Sequence, residues 1–387
     1  MTTRQSKIEK LIAEICPNGV EFEELGELLD YEQPGNYIVR STEYSDDFAT
    51  PVLTAGKSFI LGYTDETDGI YKANKENPVI IFDDFTTSFH WVDFEFKVKS
   101  SAMKMLRLQK DAGVAFKFIY YAMKCIHYIP QDHARHWISQ YSKIKIPLPP
   151  LAIQEEIVKI LNSFTELEAE LEAELEARKK QYEHYRLELL RLGEGIEWNI
   201  LSEVAHFMNG KGHEKHIDES GKYIVVNSKF VSTEGRVKKY SVKQISPVLK
   251  DDILMVMSDL PNGKALAKCF YVDENDKYTL NQRICALTVK NNAKLNAKFL
   301  FYILNRNKQL LRYDSGADQT NLRKGDILEI KIPVPPIAEQ KRIVSILDKF
   351  DALVNNISIG LPAELSARRS QYEYYRGKLL TFNEYAK

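Results

Sequence analysis

One stretch of this chain is written twice. Lys145–Phe164 reads KIPLPPLAIQEEIVKILNSF and Lys331–Phe350 reads KIPVPPIAEQKRIVSILDKF, identical at 12 of 20 positions at an offset of 186. After a length difference of four residues the match resumes. Ala177–Leu190 (ARKKQYEHYRLELL) and Ala367–Leu380 (ARRSQYEYYRGKLL) agree at 9 of 14 positions at an offset of 190. Fainter echoes precede each copy: Val20-Glu21-Phe22 resembles Ile196-Glu197-Trp198, and Lys117–Tyr121 resembles Lys298–Tyr302. Self-similarity of this kind means two copies of one structural unit. The expected organisation is an N-terminal helical segment (1–19), a variable domain (20–144), a spacer helix (145–195), a second variable domain (196–330) and a second spacer helix (331–387). Matching ends around divergent middles suggest two domains doing one job on two targets.

Each repeated segment opens on a proline run and then becomes helical. Pro150 and Pro336 suit a first helical turn, where the missing N–H costs nothing. From Ile153 the apolar positions 153, 157, 160, 164, 167, 171, 175, 182, 185, 189 and 192 keep a three-to-four spacing, the stripe of a long packed helix. Leu151–Leu192 would span about 60 Å. Thr165–Glu176 reads TELE-AELE-AELE, a stutter that locally unwinds a supercoil. In the second copy Gly360-Leu361-Pro362 should break the helix. Stripe against stripe, the two spacers should form an antiparallel coiled-coil pair.

The variable domains read as mixed α+β. Pro51–Tyr63, Pro78–Phe82, His90–Val98, Lys222–Val231, Ile253–Met257 and Cys269–Val272 look like strands, and Val114–Met123 and Asn296–Leu304 like short helices. The expected fold class is therefore α+β, with two globular α/β domains separated by long antiparallel helices in a pseudo-two-fold repeat. The 39 tyrosines and phenylalanines supply apolar area for more than one core. No apolar run approaches the roughly 20 residues of a membrane helix. Met1–Ile15 carries Arg4, Lys7, Glu9, Lys10 and Glu14 in place of a signal-peptide core. Cys16, Cys125, Cys269 and Cys285 form no CxxC pair, which favours reduced thiols. A cytoplasmic protein without a membrane partner is expected.

The net charge of −1 hides a split: residues 1–195 carry 23 Lys+Arg against 32 Asp+Glu, and residues 196–387 carry 30 against 22. Such asymmetry hints at a polyanion partner. Catalytic readings are thin. No GxGxxG occurs, and no acidic or amide residue precedes either Pro-Pro pair as a DNA amino-methyltransferase would need. A metal-dependent nuclease can be drawn from Asp84 (or Asp83), Glu95 and Lys97, but the spacing is loose and the second half has no counterpart. His133, His136, His213 and His216 form two close pairs without a third ligand at zinc spacing. The expectation is no catalytic residue, no metal and no cofactor of its own. Donor-rich loops suit base reading better. Arg and Lys recognise guanine, Asn and Gln adenine, and Asp or Glu cytosine in the major groove, while Lys, Arg, Ser and Thr hold phosphates. The candidates are Lys57, Asp84, Thr86, Thr87, Arg135 and His136 in the first domain, and Lys211, His213, Asn262, Lys264, Gln319, Thr320 and Arg323 in the second.

Two variable domains alternating with Ile-Pro-hydrophobic-Pro-Pro-x-Ala-x-Gln segments and Gln-Tyr-Glu-x-Tyr-Arg helices resemble the specificity (S) subunit of type I restriction–modification systems. The AELE repeat, with Tyr31-Glu32-Gln33-Pro34, looks like the IC-type branch. One local departure is His136-Trp137 in place of a well-aligned Leu-Arg before the first proline run, which blurs the end of the first domain. The resemblance implies that each variable domain is a target recognition domain reading half of a bipartite site in double-stranded DNA. It implies that the helices bind two methyltransferase (M) subunits, to which restriction (R) subunits add. Gln154, Tyr182, Tyr185, Arg186, Gln340, Tyr372, Tyr375 and Arg376 would be the partner-binding residues. S-adenosylmethionine, ATP and Mg²⁺ would belong to the partners. The rival readings are a coiled-coil adaptor with two protein-binding domains, or the nuclease above.

The tetrapeptide repeat should act as a ruler between half-sites. One added AELE unit lengthens a helix by about 6 Å and turns it by about 40° beyond a full turn. Half-sites one helical turn apart lie about 34–36 Å from each other, so one base pair adds roughly 3.4 Å. Duplicating Ala169–Glu172 should leave both half-sites unchanged and lengthen the gap by one or two base pairs. Methylation mapping checks this; an unchanged gap at full activity would show a merely passive segment.

Overall fold

A computed structural model describes residues 7–56, 58–110, 113–130, 134–192, 195–260, 265–314, 318–354 and 360–385. Its first half runs α1 (Lys7–Ile15), β1 (Glu21–Glu24), α2 (Leu25–Leu28), β2 (Leu29–Glu32), β3 (Thr50–Leu53), β4 (Ile60–Thr64) and β5 (Val79–Asp83). Then come β6 (Phe89–Val92), β7 (Lys97–Val98), β8 (Met103–Leu108), α3 (Phe116–Met123), α4 (His136–Ser139), β9 (Lys145–Leu148) and the 40-residue α5 (Leu151–Leu190). The second half begins with β10 (Glu197–Ile200), α6 (Leu201–Val204), β11 (Ala205–Asn209), β12 (Tyr223–Val226), α7 (Ser228–Ser232), β13 (Tyr240–Ser241) and β14 (Ile253–Val256). It continues through β15 (Ser258–Asp259), β16 (Cys269–Tyr271), β17 (Tyr278–Leu280), β18 (Ile284–Val289), α8 (Ala297–Leu304), α9 (Lys308–Leu311), β19 (Thr320–Asn321), α10 (Lys324–Leu328) and β20 (Lys331–Val334). The chain closes with α11 (Ile337–Val354) and α12 (Leu361–Leu379).

The repeat extends well beyond the segments where sequence identity reveals it. The four-stranded sheet β2-β8-β5-β6 has its counterpart in β11-β18-β14-β16, and β4-β3-β7 has one in β13-β12-β17. In both small sheets the central strand pairs once antiparallel and once parallel. The proline-run strands also match: Glu21 faces Leu148 in β1–β9, and Glu197 faces Val334 in β10–β20. Each of these is an edge strand of a two-stranded sheet, where a proline without N–H is tolerated.

Two compact units result, residues 1–172 with 364–387 and residues 173–363, so the division falls inside α5. In the first unit, Phe164 of α5 stacks on Tyr375 of α12 at 5.6 Å, and Glu168 pairs with Arg369. In the second, Tyr185 of α5 stacks on Phe350 of α11 at 5.5 Å. In the first of these pairings partner numbers fall as α5 numbers rise, so it is antiparallel. The same two ring positions meet in each unit with their helices exchanged. The break in the second copy is realised at Gly360, whose φ of +79° suits glycine and whose added Cβ would come 2.6 Å from the Leu353 carbonyl oxygen.

The helix feet are anchored by buried amides. Pro150 stands just before α5, its carbonyl accepting from Ile153 N at 2.8 Å. Gln154 then folds inward: its Oε1 accepts from Ala115 N at 2.9 Å and its Nε2 donates to the Pro149 carbonyl at 2.7 Å. Gln340 does the same, accepting from Asn296 N at 2.8 Å and donating to the carbonyls of Lys294 at 2.9 Å and Pro335 at 2.7 Å. About two turns further along, Tyr121 donates to Asn162 at 2.7 Å and Tyr302 to Asp348 at 2.6 Å. Burial pushes the Tyr121 phenol up to about 12, keeping it a donor.

Three strand expectations are corrected. Pro51–Tyr63 is two strands, β3 and β4, paired antiparallel. Lys222–Val231 is strand only to Val226, because the Asn227 side chain accepts from Phe230 N at 2.9 Å and starts α7. His90–Val98 splits into β6 and β7, which belong to different sheets. Removing a buried amide should show its structural weight. Gln340→Leu orphans the Asn296 N–H and two carbonyls, and each unsatisfied group costs about 1–3 kcal/mol. Thermal unfolding should register a loss of at least about 2 kcal/mol; a change below about 0.5 kcal/mol, the scale of a neutral surface substitution, would contradict the anchor.

Candidate nucleic-acid interface

In the first domain two segments converge at one end of the large sheet. The β5–β6 turn is shaped by Asp83, whose Oδ1 accepts from Phe85 N at 2.9 Å and Thr86 N at 2.8 Å, with Thr87 at φ +56°. Asp84 joins this turn to the segment before α4. Its carbonyl accepts from His136 N at 2.8 Å and its Oδ1 from Trp137 N at 2.9 Å. Asp84, Thr86, Thr87, Arg135 and His136 are therefore brought together, but on two sides. Thr86 and Arg135 are exposed. Asp84 is 1% exposed and salt-bridged to the equally buried Lys104 at 3.2 Å, and His136 is buried with Nδ1 2.9 Å from the Tyr128 hydroxyl. A side chain so enclosed does not reach a base edge, so Asp84 and His136 support the surface and do not form it. Thr87 is also largely buried.

The second domain repeats this arrangement. Ser258-Asp259 (β15) pairs with Thr320-Asn321 (β19), and Gln319 Nε2 donates to Ser258 Oγ at 2.8 Å. Gln319 and Arg323 are exposed and Thr320 is half-buried. At the same end of the sheet, Asn209 of β11 faces Cys285, and Gly210 N donates to the Ile284 carbonyl at 3.0 Å. An added Cβ at Gly210 would lie 2.0 Å from the Asn281 carbonyl oxygen, so only glycine lets the chain pass there. Lys211 is exposed just beyond. His213 faces inward, its Nδ1 2.8 Å from the Lys211 carbonyl and its Nε2 2.7 Å from Thr279 Oγ1. Burial holds its imidazole below the usual value, which fits a structural residue. Exposed Arg283 and Lys324 flank the same loops. Sequence reading stopped one residue short of Lys324, and nothing local marks Arg283 as exposed. Lys57, His133, Asn262 and Lys264 lie outside the described residues.

The expected partner-binding residues divide the same way. Gln154 and Gln340 are consumed by the anchors above. Tyr182 is buried, and Arg186 Nη2 donates to the Tyr302 carbonyl at 3.0 Å and also to that of Asn305. Tyr185 and Tyr375 are exposed, and Tyr372 and Arg376 are half-buried. Arg186 and Arg376 occupy equivalent repeat positions, and each buries an Nε–H with no acceptor among the described residues.

The nuclease residues do not converge. Asp84 pairs with Lys104, Glu95 with Lys72 at 2.6 Å, and Lys97 with Glu66 at 3.0 Å. Among the described residues no group of three or more His, Cys, Asp or Glu side chains could hold a metal. Burial alone would raise the Glu66 carboxyl, but the Ser41 N–H, the Lys97 ammonium and the Arg40 N–H bring it down to about 2. A carboxylate lowered from about 4.3 in the unfolded chain stabilises the fold above that value and stops doing so as pH falls through about 2. Glu66→Gln should therefore be less stable than wild type at pH 7, with the deficit shrinking between pH 4 and 2. Urea unfolding across that range measures it, and a deficit independent of pH would refute the assignment.

Fold and surface together define a chain of two loop-bearing α/β modules on a helical frame. The family model for the type I restriction modification DNA specificity domain matches residues 17–177 and 195–367. The chain is 42% identical to the EcoR124I/EcoR124II specificity subunit of Escherichia coli, over 98% of each chain. It is 32% identical to the putative specificity subunit S.HindORF215P of Haemophilus influenzae, covering 69% of this chain and 72% of that one. Among solved structures, the S subunit of a type I restriction–modification system from M. genitalium superposes with a TM-score of 0.57 at 18% identity, over 94% of this chain and 96% of that one. At that identity the likeness speaks for the fold. The chain belongs to the type I restriction–modification specificity subunit family. No helix among the described residues is long and apolar enough to cross a membrane.

Proposed function

We propose that this chain is the DNA-reading, non-catalytic subunit of a type I restriction–modification complex, each domain reading one half of a bipartite site. The observation that carries this is the duplicated loop pair: two segments latched together at the same end of equivalent sheets, on equivalent anchors, with exposed side chains that differ between the copies. Thr86 and Arg135 in one domain, and Lys211, Gln319, Arg323, Arg283 and Lys324 in the other, are the proposed contacts. The exposed tyrosines of the repeat, Tyr185 and Tyr375, are proposed to meet one methyltransferase subunit per repeat. Restriction subunits join that assembly, and S-adenosylmethionine, ATP and Mg²⁺ serve the partners. The cell compartment proposed is the cytoplasm, where such a complex meets DNA.

Two measurements test this reading. Purified chain, incubated with labelled S-adenosylmethionine and plasmid, should neither methylate nor cleave; turnover surviving removal of contaminating partner would overturn it. Exchanging residues 196–330 for the matching domain of a relative should change one half of the methylated site only. A coiled-coil adaptor would instead give no sequence-specific DNA retention even with partners present. The basic second half should also contribute the more salt-sensitive affinity, since each phosphate contact steepens the salt dependence.

A further inference from the structure

The two latches are built on the same backbone links with opposite chemistry. In the first domain Asp84 N donates to the Ala102 carbonyl at 2.8 Å, and the Asp84 carbonyl accepts from His136 N at 2.8 Å. In the second, Met257 N donates to the Arg283 carbonyl at 3.0 Å, and the Met257 carbonyl accepts from Leu322 N at 2.8 Å. Asp84 and Met257 are thus equivalent. On the neighbouring strand, Lys104 faces Phe82 and Cys285 faces Met255, two residues before Asp84 and Met257 respectively. Lys104 and Cys285 are equivalent too. An ion pair with both side chains about 1% exposed in one domain is replaced in the other by Cys285, buried in an apolar core, and Met257, half-buried against that core.

That exchange bears on why the charges are there. A buried ion pair is weak evidence for stability, since matched apolar residues often serve as well or better; its best-attested use is fixing one arrangement among several. The sister domain makes the same latch without charges. What the pair adds is direction. Asp84 Oδ2 holds Lys104 at 3.2 Å, Oδ1 holds Trp137 N at 2.9 Å, and the Lys104 ammonium lies 4.5 Å from the Tyr31 ring centroid. The turn carrying Thr86 is thereby tied to the segment carrying Arg135. In the second domain the corresponding tie is the short β15–β19 pairing and the Gln319–Ser258 hydrogen bond.

We propose that Asp84 and Lys104 are positioning residues for base reading by the first domain. They set the geometry of Thr86 and Arg135, and each domain carries its own private lock on its reading loops. The proposal rests on the specificity-subunit reading given above.

The test transplants the second domain's solution into the first. The full chain carrying Asp84→Met with Lys104→Cys is assembled with its methyltransferase partners. Methylation rates are then measured on duplexes with single-base-pair changes in each half-site. The expected result is a folded, assembled complex whose thermal midpoint falls only by what the loss of one acceptor, that of Trp137 N, implies. Discrimination should fall at least tenfold in the half-site read by residues 20–144 and stay unchanged in the other. Unchanged discrimination, or equal loss in both half-sites, overturns the proposal. Failure of the double variant to fold overturns the claim that the fold dispenses with the pair. In that event Asp84→Asn decides the positioning role, because it keeps an acceptor for Trp137 N and removes the charge opposite Lys104. Full discrimination by that variant would leave no positioning role. A wild-type complex with no sequence preference overturns the specificity-subunit reading itself, and this proposal with it.

Discussion

A buried amide at the foot of each long helix is the interaction on which the rest depends. Gln154 and Gln340 each bind the backbone at the start of a domain helix with one end and a proline-run carbonyl with the other. A neutral side chain suits this place, because it satisfies donors and acceptors in an apolar setting without the desolvation penalty of a charge. Tyr121 with Asn162, and Tyr302 with Asp348, add a second rung to the same seat. Both domains therefore sit on one design of socket, and what the socket carries is free to differ.

That division explains what the sequence made legible. The helix-borne half of the socket, Gln154 with Pro149 and Gln340 with Pro335, lies within the repeated segments, so it shows as identity, and the strand and helix runs follow from their apolar spacing. The seat itself was not legible. Gln154 on a helix surface reads as a contact for a partner, since nothing local tells that Ala115 returns to meet it. Asp84 likewise reads as an acceptor for a base, because Lys104 lies 20 residues away on another strand. A signal was present all the same: Met103-Lys104-Met105-Leu106 places a lysine among apolar neighbours, which marks a charge with a buried partner. The departure at His136-Trp137 was visible as an anomaly. Its reason is volume: Trp137, 2% exposed, packs edge-on to Phe82 at 5.1 Å, whereas Arg323 at the equivalent position is exposed.

Charge follows the same partition. The long helix carries acidic side chains that are answered within each unit, as Glu168 and Glu172 are by Arg369. Such exposed pairs contribute little each. The loops proposed to read DNA, by contrast, leave cations such as Arg135, Lys211 and Arg323 at the surface. A net charge near zero thus describes neither the frame nor the loops.

The unequal threading of the two units has a consequence for biosynthesis. Residues 173–363 form one uninterrupted unit, while the other unit needs 1–172 together with 364–387. Leu379 and Leu380 are part of the first domain's core, Tyr372 and Phe382 pack against it, and Val20 exchanges backbone hydrogen bonds with Asn383 and Tyr385. At ribosomal rates of about 5–20 residues per second, roughly 10–40 s separate the emergence of Glu172 from that of the last residues. Through that interval the first domain waits with part of its core open to water, while the later unit, contiguous in sequence, is written and completed before residues 364–387 appear. The module made first is the last to be finished, and a chain cut off before Leu379 loses core residues of the domain that was written first.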